Sequence, residues 1–71
     1  MAARSVTRFD AARRVRHFVG GTRRLAITGR ALAELLGIVE EECLEVLEAM
    51  VARGLLRKDR LGQNTFLYCK D

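Results

Sequence analysis

The chain contains no proline. That excludes a rigid Pro-rich linker or a polyproline ligand segment. It has only two cysteines and one histidine. Cys43 and Cys69 lie far apart and in no paired spacing, so the four ligands of a zinc site are not supplied, and no metal or cofactor is expected. Cys43 reads as a small core residue. Two unpaired thiols suit a reducing, intracellular (cytoplasmic) home. No apolar run approaches the roughly 20 residues of a membrane span, so a membrane is not expected as a partner. The start lacks the apolar h-region of a secretory signal. Acid is scarce in one half only: residues 1–30 hold eight arginines against Asp10 alone, while residues 31–71 hold five basic residues against eight acidic ones.

What is present is an ordinary globular mix, 49% hydrophobic and 31% charged, which is not the composition of a disordered chain. Seventy-one residues make one domain at most. Residues 1–71 are therefore read as a single domain, with residues 1–6 expected to be flexible. The net charge of +4 is concentrated in the first half. A basic half attracts nucleic acid or another polyanion, and the bland alternative is a solvated Arg-rich face. The opening "MAARSVTRFDAARRVRHF" is Arg-rich and acid-poor like an organelle transit peptide. Its apolar spacing, however, continues into a helix that the fold needs.

"TRFDAARRVRHFVGG" has the marks of a helix at both ends. Thr7 and Asp10 resemble a capping box. Phe9, Ala12, Val15, Phe18 and Val19 fall on one face, and Gly20 and Gly21 stop the helix. "RRLAIT" reads as a short strand. Thr28 then caps a second helix, "GRALAELLG", with Leu32, Leu35 and Leu36 inward and Gly37 closing it. A third helix runs from about Glu40 to Arg53, with Cys43, Val46, Leu47 and Met50 as its core stripe, and Gly54 ends it. "LLRKDRLGQNTFLYCK" alternates like a hairpin around a "GQN" turn. The expected class is α+β, in the order helix, strand, helix, helix, strand, strand.

Catalysis is not expected. His17 stands alone on a polar helix face, and a general base needs a partner within reach. Ser5 has no base near it in sequence. The glutamates have no histidine or cysteine spaced for a shared metal. "GGTRR" lacks the Lys and Ser/Thr that a phosphate-binding loop places after its second glycine.

With "TGRALAELLGI" followed by "EEECLEVLEAMVARGLL" and "RKDRLGQNTFLYCK", the chain resembles the winged helix-turn-helix family over nearly its whole length. The most telling pieces are the Leu35-Leu36-Gly37-Ile38 corner and the Arg53-Gly54-Leu55-Leu56 exit into the hairpin. The resemblance implies three helices, a small antiparallel sheet, and DNA binding in transcriptional regulation. In that family the second helix of the motif reads the major groove with basic and polar residues. Here the equivalent outward positions are Glu40, Glu41, Leu44, Glu45 and Glu48, and Val39 stands where a Ser or Thr cap is usual. Several carboxylates among phosphates oppose binding that rests on phosphate neutralisation.

Two arrangements answer this departure. In the first, DNA is held by other surfaces: Arg30 at the start of the second helix, Arg57, Lys58 and Arg60 in the hairpin, Gln63 and Asn64 at its tip, and Arg23 and Arg24 leading into the first strand. The hairpin would then enter a minor groove while the helix stands off. RNA is the weaker variant of this reading, recognised by shape and phosphate. In the second, the domain is a protein-interaction module, a subunit or adaptor in a nucleic-acid-processing assembly. Glu41, Leu44, Glu45 and Glu48 would then meet a basic partner or a second copy of the chain.

Overall fold

Thr28 and Gly37 bracket a helix as the sequence predicts, and the rest of the fold is arranged about it. The computed structural model describes residues 2–70, with side-chain surroundings from residue 9 onward. Its elements are α1 (Ala2–Gly21), β1 (Leu25–Thr28), α2 (Gly29–Leu36), α3 (Glu40–Ala52), β2 (Arg57–Arg60) and β3 (Phe66–Lys70). Three helices and a three-stranded antiparallel sheet make a small α+β domain. No helix among the described residues is long and apolar enough to cross a membrane.

The Thr28 side chain accepts a hydrogen bond from the Ala31 N–H at 3.2 Å, which satisfies a donor left open at the start of α2. Gly37 ends α2 at φ 68°, a left-handed conformation that glycine adopts without Cβ strain. The Ile38 N–H then reaches back to the Ala33 carbonyl at 3.0 Å. Gly54, at φ 77°, ends α3 in the same way, with the Leu55 N–H on the Met50 carbonyl at 2.9 Å. These two caps set the corner between α2 and α3 and the exit into the β2–β3 hairpin.

The first helix departs from its sequence reading at both ends. It begins at Ala2, so residues 2–6 are helical and Thr7 lies inside the helix instead of capping it. It does end at Gly21, but neither Gly20 nor Gly21 takes a positive φ. Side chains from elsewhere satisfy its last carbonyls. The Thr22 hydroxyl donates to the Phe18 carbonyl and the Lys70 ammonium to that of Val19, both at 2.7 Å. The buried face is also rotated. Ala11, Val15 and Val19 are fully covered, whereas Phe9 is 77% exposed. In α2, Leu32 and Ala33 are buried and Leu35 is 61% exposed. With eight residues in α2, its packing against α3 and the sheet selects one narrow stripe, and Leu35 falls outside it.

The strand order is β1-β3-β2, with both neighbours antiparallel to β3. Ile27, Tyr68 and Lys58 form one cross-strand row and Ala26, Cys69 and Arg57 the next. Neighbouring rows face opposite sides of the sheet. Leu25, Ile27 and Tyr68 pack toward the helices, onto a core of Val15, Leu32, Cys43, Leu47, Met50 and Leu56. Burial and the nearby Glu40 carboxylate push the Cys43 thiol up to about 11, so it stays a neutral, unreactive core group at physiological pH.

Candidate nucleic-acid interface

The hairpin is fastened to α3 by one carboxylate. The Tyr68 hydroxyl donates to Glu48 Oε2 at 2.5 Å, and the Lys58 ammonium lies 2.5 Å from the same oxygen. Lys58 also sits over the Phe66 ring, 4.4 Å from its centroid. Hydrogen bonds from Lys58 and then Tyr68 hold the Glu48 carboxyl below the usual carboxylate range. Burial, and then Glu48 itself, raise the Tyr68 hydroxyl. Glu48 is thus a fastening between α3 and the hairpin and offers little free charge to a groove.

This fastening has a pH signature. A carboxyl whose folded pKa is depressed adds stability above its unfolded value, here 4.5. That stability is lost as pH falls through the lower folded value. Glu48→Gln is therefore expected to lower the melting temperature at neutral pH, with the gap to the parent narrowing below about pH 4.5. Paired melting curves across pH check this, and a gap that stays constant down to pH 2 would contradict the assignment.

The remaining acids of α3 divide by position. Val39 starts the helix with no side-chain cap, and Glu40, Glu41 and Glu42 fill the first turn. Carboxylates there meet the positive end of the helix dipole, about 0.3–1 kcal/mol each when exposed. Glu41 and Glu45 lie on the exposed face. Leu44 is half-buried and packs against the core. A Cβ on Gly29 would come within 2.3 Å of its Cδ2, so the missing side chain at Gly29 lets Leu44 settle against α2. Of these residues, Leu44 is engaged with the core and Glu48 with the hairpin.

The basic candidates do not form one surface. Arg30, Lys58 and Asn64 line an open groove of about 580 Å³ between the start of α2, the outer face of α3 and the hairpin, together with Leu44, Glu48 and Phe66. Arg30 is exposed and lies 3.6 Å from Glu34, one turn along α2. Arg57, next to Lys58 in the strand, projects from the opposite face. There it shares an open hollow of about 640 Å³ with Arg24, Cys69 and Lys70, and it pairs with Asp59 at 3.2 Å. Burial raises the Cys69 thiol, and the Asp59 carboxylate adds to the effect. Arg23 and Arg24 are exposed, and neither has an ion pair among the described residues.

Arg60 is held at the hairpin tip. Its Nε donates to the Gly62 carbonyl at 3.0 Å and a terminal nitrogen to the Gln63 carbonyl at 3.2 Å. The turn is closed beneath it by the Leu61 N–H on the Thr65 carbonyl at 2.8 Å. Gln63, Asn64 and Thr65 are exposed around it. A guanidinium has five N–H donors, so this anchoring leaves donors to spare.

Sequence reasoning missed the Tyr68–Glu48–Lys58 fastening. Strand alternation places Lys58, Phe66 and Tyr68 on one face, but nothing local indicates that Glu48, 20 residues before Tyr68, faces them. The link that Arg14 makes is likewise not announced by its place among the arginines of α1. Arg14 donates to the Leu36 carbonyl at 2.9 Å and pairs with Asp10 at 2.9 Å, joining α1 to the end of α2. Among the described residues no group of three or more His, Cys, Asp or Glu side chains is placed to hold a metal ion. Compared with protein-family models, with curated proteins and with solved structures, the chain matches none.

Proposed function

We propose that the chain is a winged helix-turn-helix domain that binds DNA in transcriptional regulation, with the β2–β3 hairpin as its wing and α3 standing off the groove. The element order, the tight α2–α3 corner and the β1-β3-β2 sheet support the fold reading. The observation that carries the functional reading is the hairpin tip. Arg60 is set in place by two main-chain carbonyls and flanked by the exposed amides of Gln63 and Asn64. A positioned arginine with neighbouring amides suits a minor groove, where shape and A·T content are read. Arg23 and Arg24, before β1 at the end of the sheet away from the tip, and Arg57 on the outer face of the same sheet add further positive charge. Glu48 does not oppose this, because Lys58 and Tyr68 hold it.

The tip tests the reading. Arg60→Ala is expected to weaken binding on every duplex and lower the salt slope by about 1. Asn64→Ala is expected to leave that slope alone while reducing any preference for A·T-rich over G·C-rich duplexes. Fluorescence anisotropy with the two duplex types at two salt concentrations reads both effects. An Arg60→Ala protein that binds like the parent would remove the tip from the interface.

A further inference from the structure

We propose that the seam between α1 and α3 is a docking groove for an acidic amphipathic helix of a partner protein. Three observations carry this, and none involves the β2–β3 hairpin. The first is a hollow. The two helices leave between them an open space of about 310 Å³, lined by Ala12, Val46, Ala49 and Met50. Each helix places an alanine on it, Ala12 and Ala49, where a longer side chain would fill the gap. The second is the rim. Phe9 and Leu55 border the hollow and are 77% and 54% exposed. Large apolar side chains beside an unfilled apolar hollow form a patch of the kind that a partner's apolar face covers.

The third observation is charge, and it decides the kind of partner. Arg16 on α1 and Arg53 at the end of α3 stand on the rim, and Arg13 is exposed one turn from Phe9 on α1. None of the three has an ion pair among the described residues. The carboxylate on the rim, Glu45, already interacts within the chain, so the charge offered to a partner is positive. A helix with an apolar stripe flanked by carboxylates answers both features. Its stripe covers Phe9 and Leu55 and drops an anchor into the hollow, while its flanks meet the arginines. A nucleic-acid duplex would meet the arginines through phosphate and leave Phe9 and Leu55 uncovered. A lipid surface would cover them but leave the hollow unfilled, whereas a ridge of helix side chains enters it.

The test uses the full chain and a fluorescently labelled synthetic helix with leucine along one face and glutamate on its flanks. A counterpart with lysine in place of every glutamate is titrated in parallel, and anisotropy reads both. The acidic helix is expected to bind at least about tenfold more tightly than the basic one, and less tightly as salt rises. Phe9→Ala and Leu55→Ala are each expected to weaken binding about tenfold, as loss of an apolar anchor does. Arg16→Gln and Arg53→Gln are each expected to weaken it about threefold and to flatten its salt dependence. Ala49→Phe, at an exposed position, is expected to fill the hollow and weaken binding about tenfold or more, with the melting temperature of the chain close to that of the parent. Leu35→Ala, at an exposed leucine of α2 outside the hollow, is expected to change nothing. Absence of binding by the acidic helix overturns the proposal, as does equal binding of the two helices or binding that survives Ala49→Phe. Capture of the chain by phosphatidylserine vesicles in place of the helix would assign the face to a membrane and overturn it too. Self-association lost with Phe9→Ala, in place of helix binding, would assign the face to a second copy with the same result.

Discussion

Leu47→Ala is expected to cost about 2–5 kcal/mol, the range for deleting a fully buried leucine side chain. Leu47 is 0% exposed and sits in the core beside Leu32, Cys43 and Tyr68. A Cβ at Gly29 of α2 would run into Leu44 of α3 and come within 3.7 Å of Leu47 Cδ1, so α2 rests directly on this part of α3. Main chain on both sides of the resulting cavity is fixed by helix caps and the sheet, which limits how far the site can collapse. Domains of this length have total stabilities of roughly 4–11 kcal/mol at the usual 0.05–0.15 per residue. The substitution therefore removes a large share of the total and should leave a measurable unfolded population. Urea unfolding followed by helical circular dichroism reads the change directly. A loss below about 1 kcal/mol would mean that the core is centred elsewhere.

The second large effect concerns binding. Arg23→Ala, Arg24→Ala and Arg60→Ala made together are expected to lower the log–log salt slope by close to 3, since each phosphate contact contributes about 0.9. Arg23 and Arg24 are exposed without ion pairs among the described residues, so their removal leaves no buried partner uncompensated. Among the described residues the Arg60 side chain bonds to turn carbonyls, and the β2–β3 ladder is made by main-chain atoms that the substitution keeps. The fold should accordingly survive, with a melting temperature close to that of the parent, while affinity falls most at low salt. The comparison to make is Glu41→Ala, on the acidic outer face. In the stand-off arrangement that change has little effect on affinity or raises it slightly through reduced repulsion. A marked loss from Glu41→Ala would instead place α3 in the groove, with its carboxylate on a cytosine amino group.

Much of the fold was legible where local chemistry decides the outcome. Thr28, Gly37 and Gly54 mark helix ends by side-chain capping and left-handed backbone, and both are properties of one residue and its near neighbours. The hairpin and its alternation of Phe66, Tyr68, Leu67 and Cys69 were legible for the same reason. The first helix was less so. Phe9 looked like a core residue because it falls near the apolar stripe, yet the face that packs is centred on Ala11, Val15 and Val19. Apolar spacing allows a rotation of that size, and only the packing of α1 on α3 settles it. Leu35 follows the same pattern on α2. Gly20 and Gly21 do coincide with a helix end, but the last carbonyls are satisfied by Thr22 and by Lys70, whose position depends on the sheet.

The candidate site was legible residue by residue but not as an arrangement. Arg30, Arg57, Lys58 and Arg60 are all exposed, yet strand alternation puts Arg57 behind the sheet and Lys58 against Glu48. The acidic third helix is explained in parts: Glu40, Glu41 and Glu42 begin an uncapped helix, Glu48 fastens the hairpin, and Glu45 lies on the exposed face. Contacts between α3 and β2–β3 produce this division, and no short-range pattern encodes them.

The most direct test of the central claim is to titrate the whole chain into a fluorescent random-sequence duplex at 50 and 200 mM salt, with its mass followed in parallel by light scattering. Binding through the hairpin and the arginines predicts salt-sensitive association with a slope equivalent to several phosphates. Absence of binding at the lower salt concentration would contradict it, and would leave the acidic helix and the basic first helix as surfaces for protein alone.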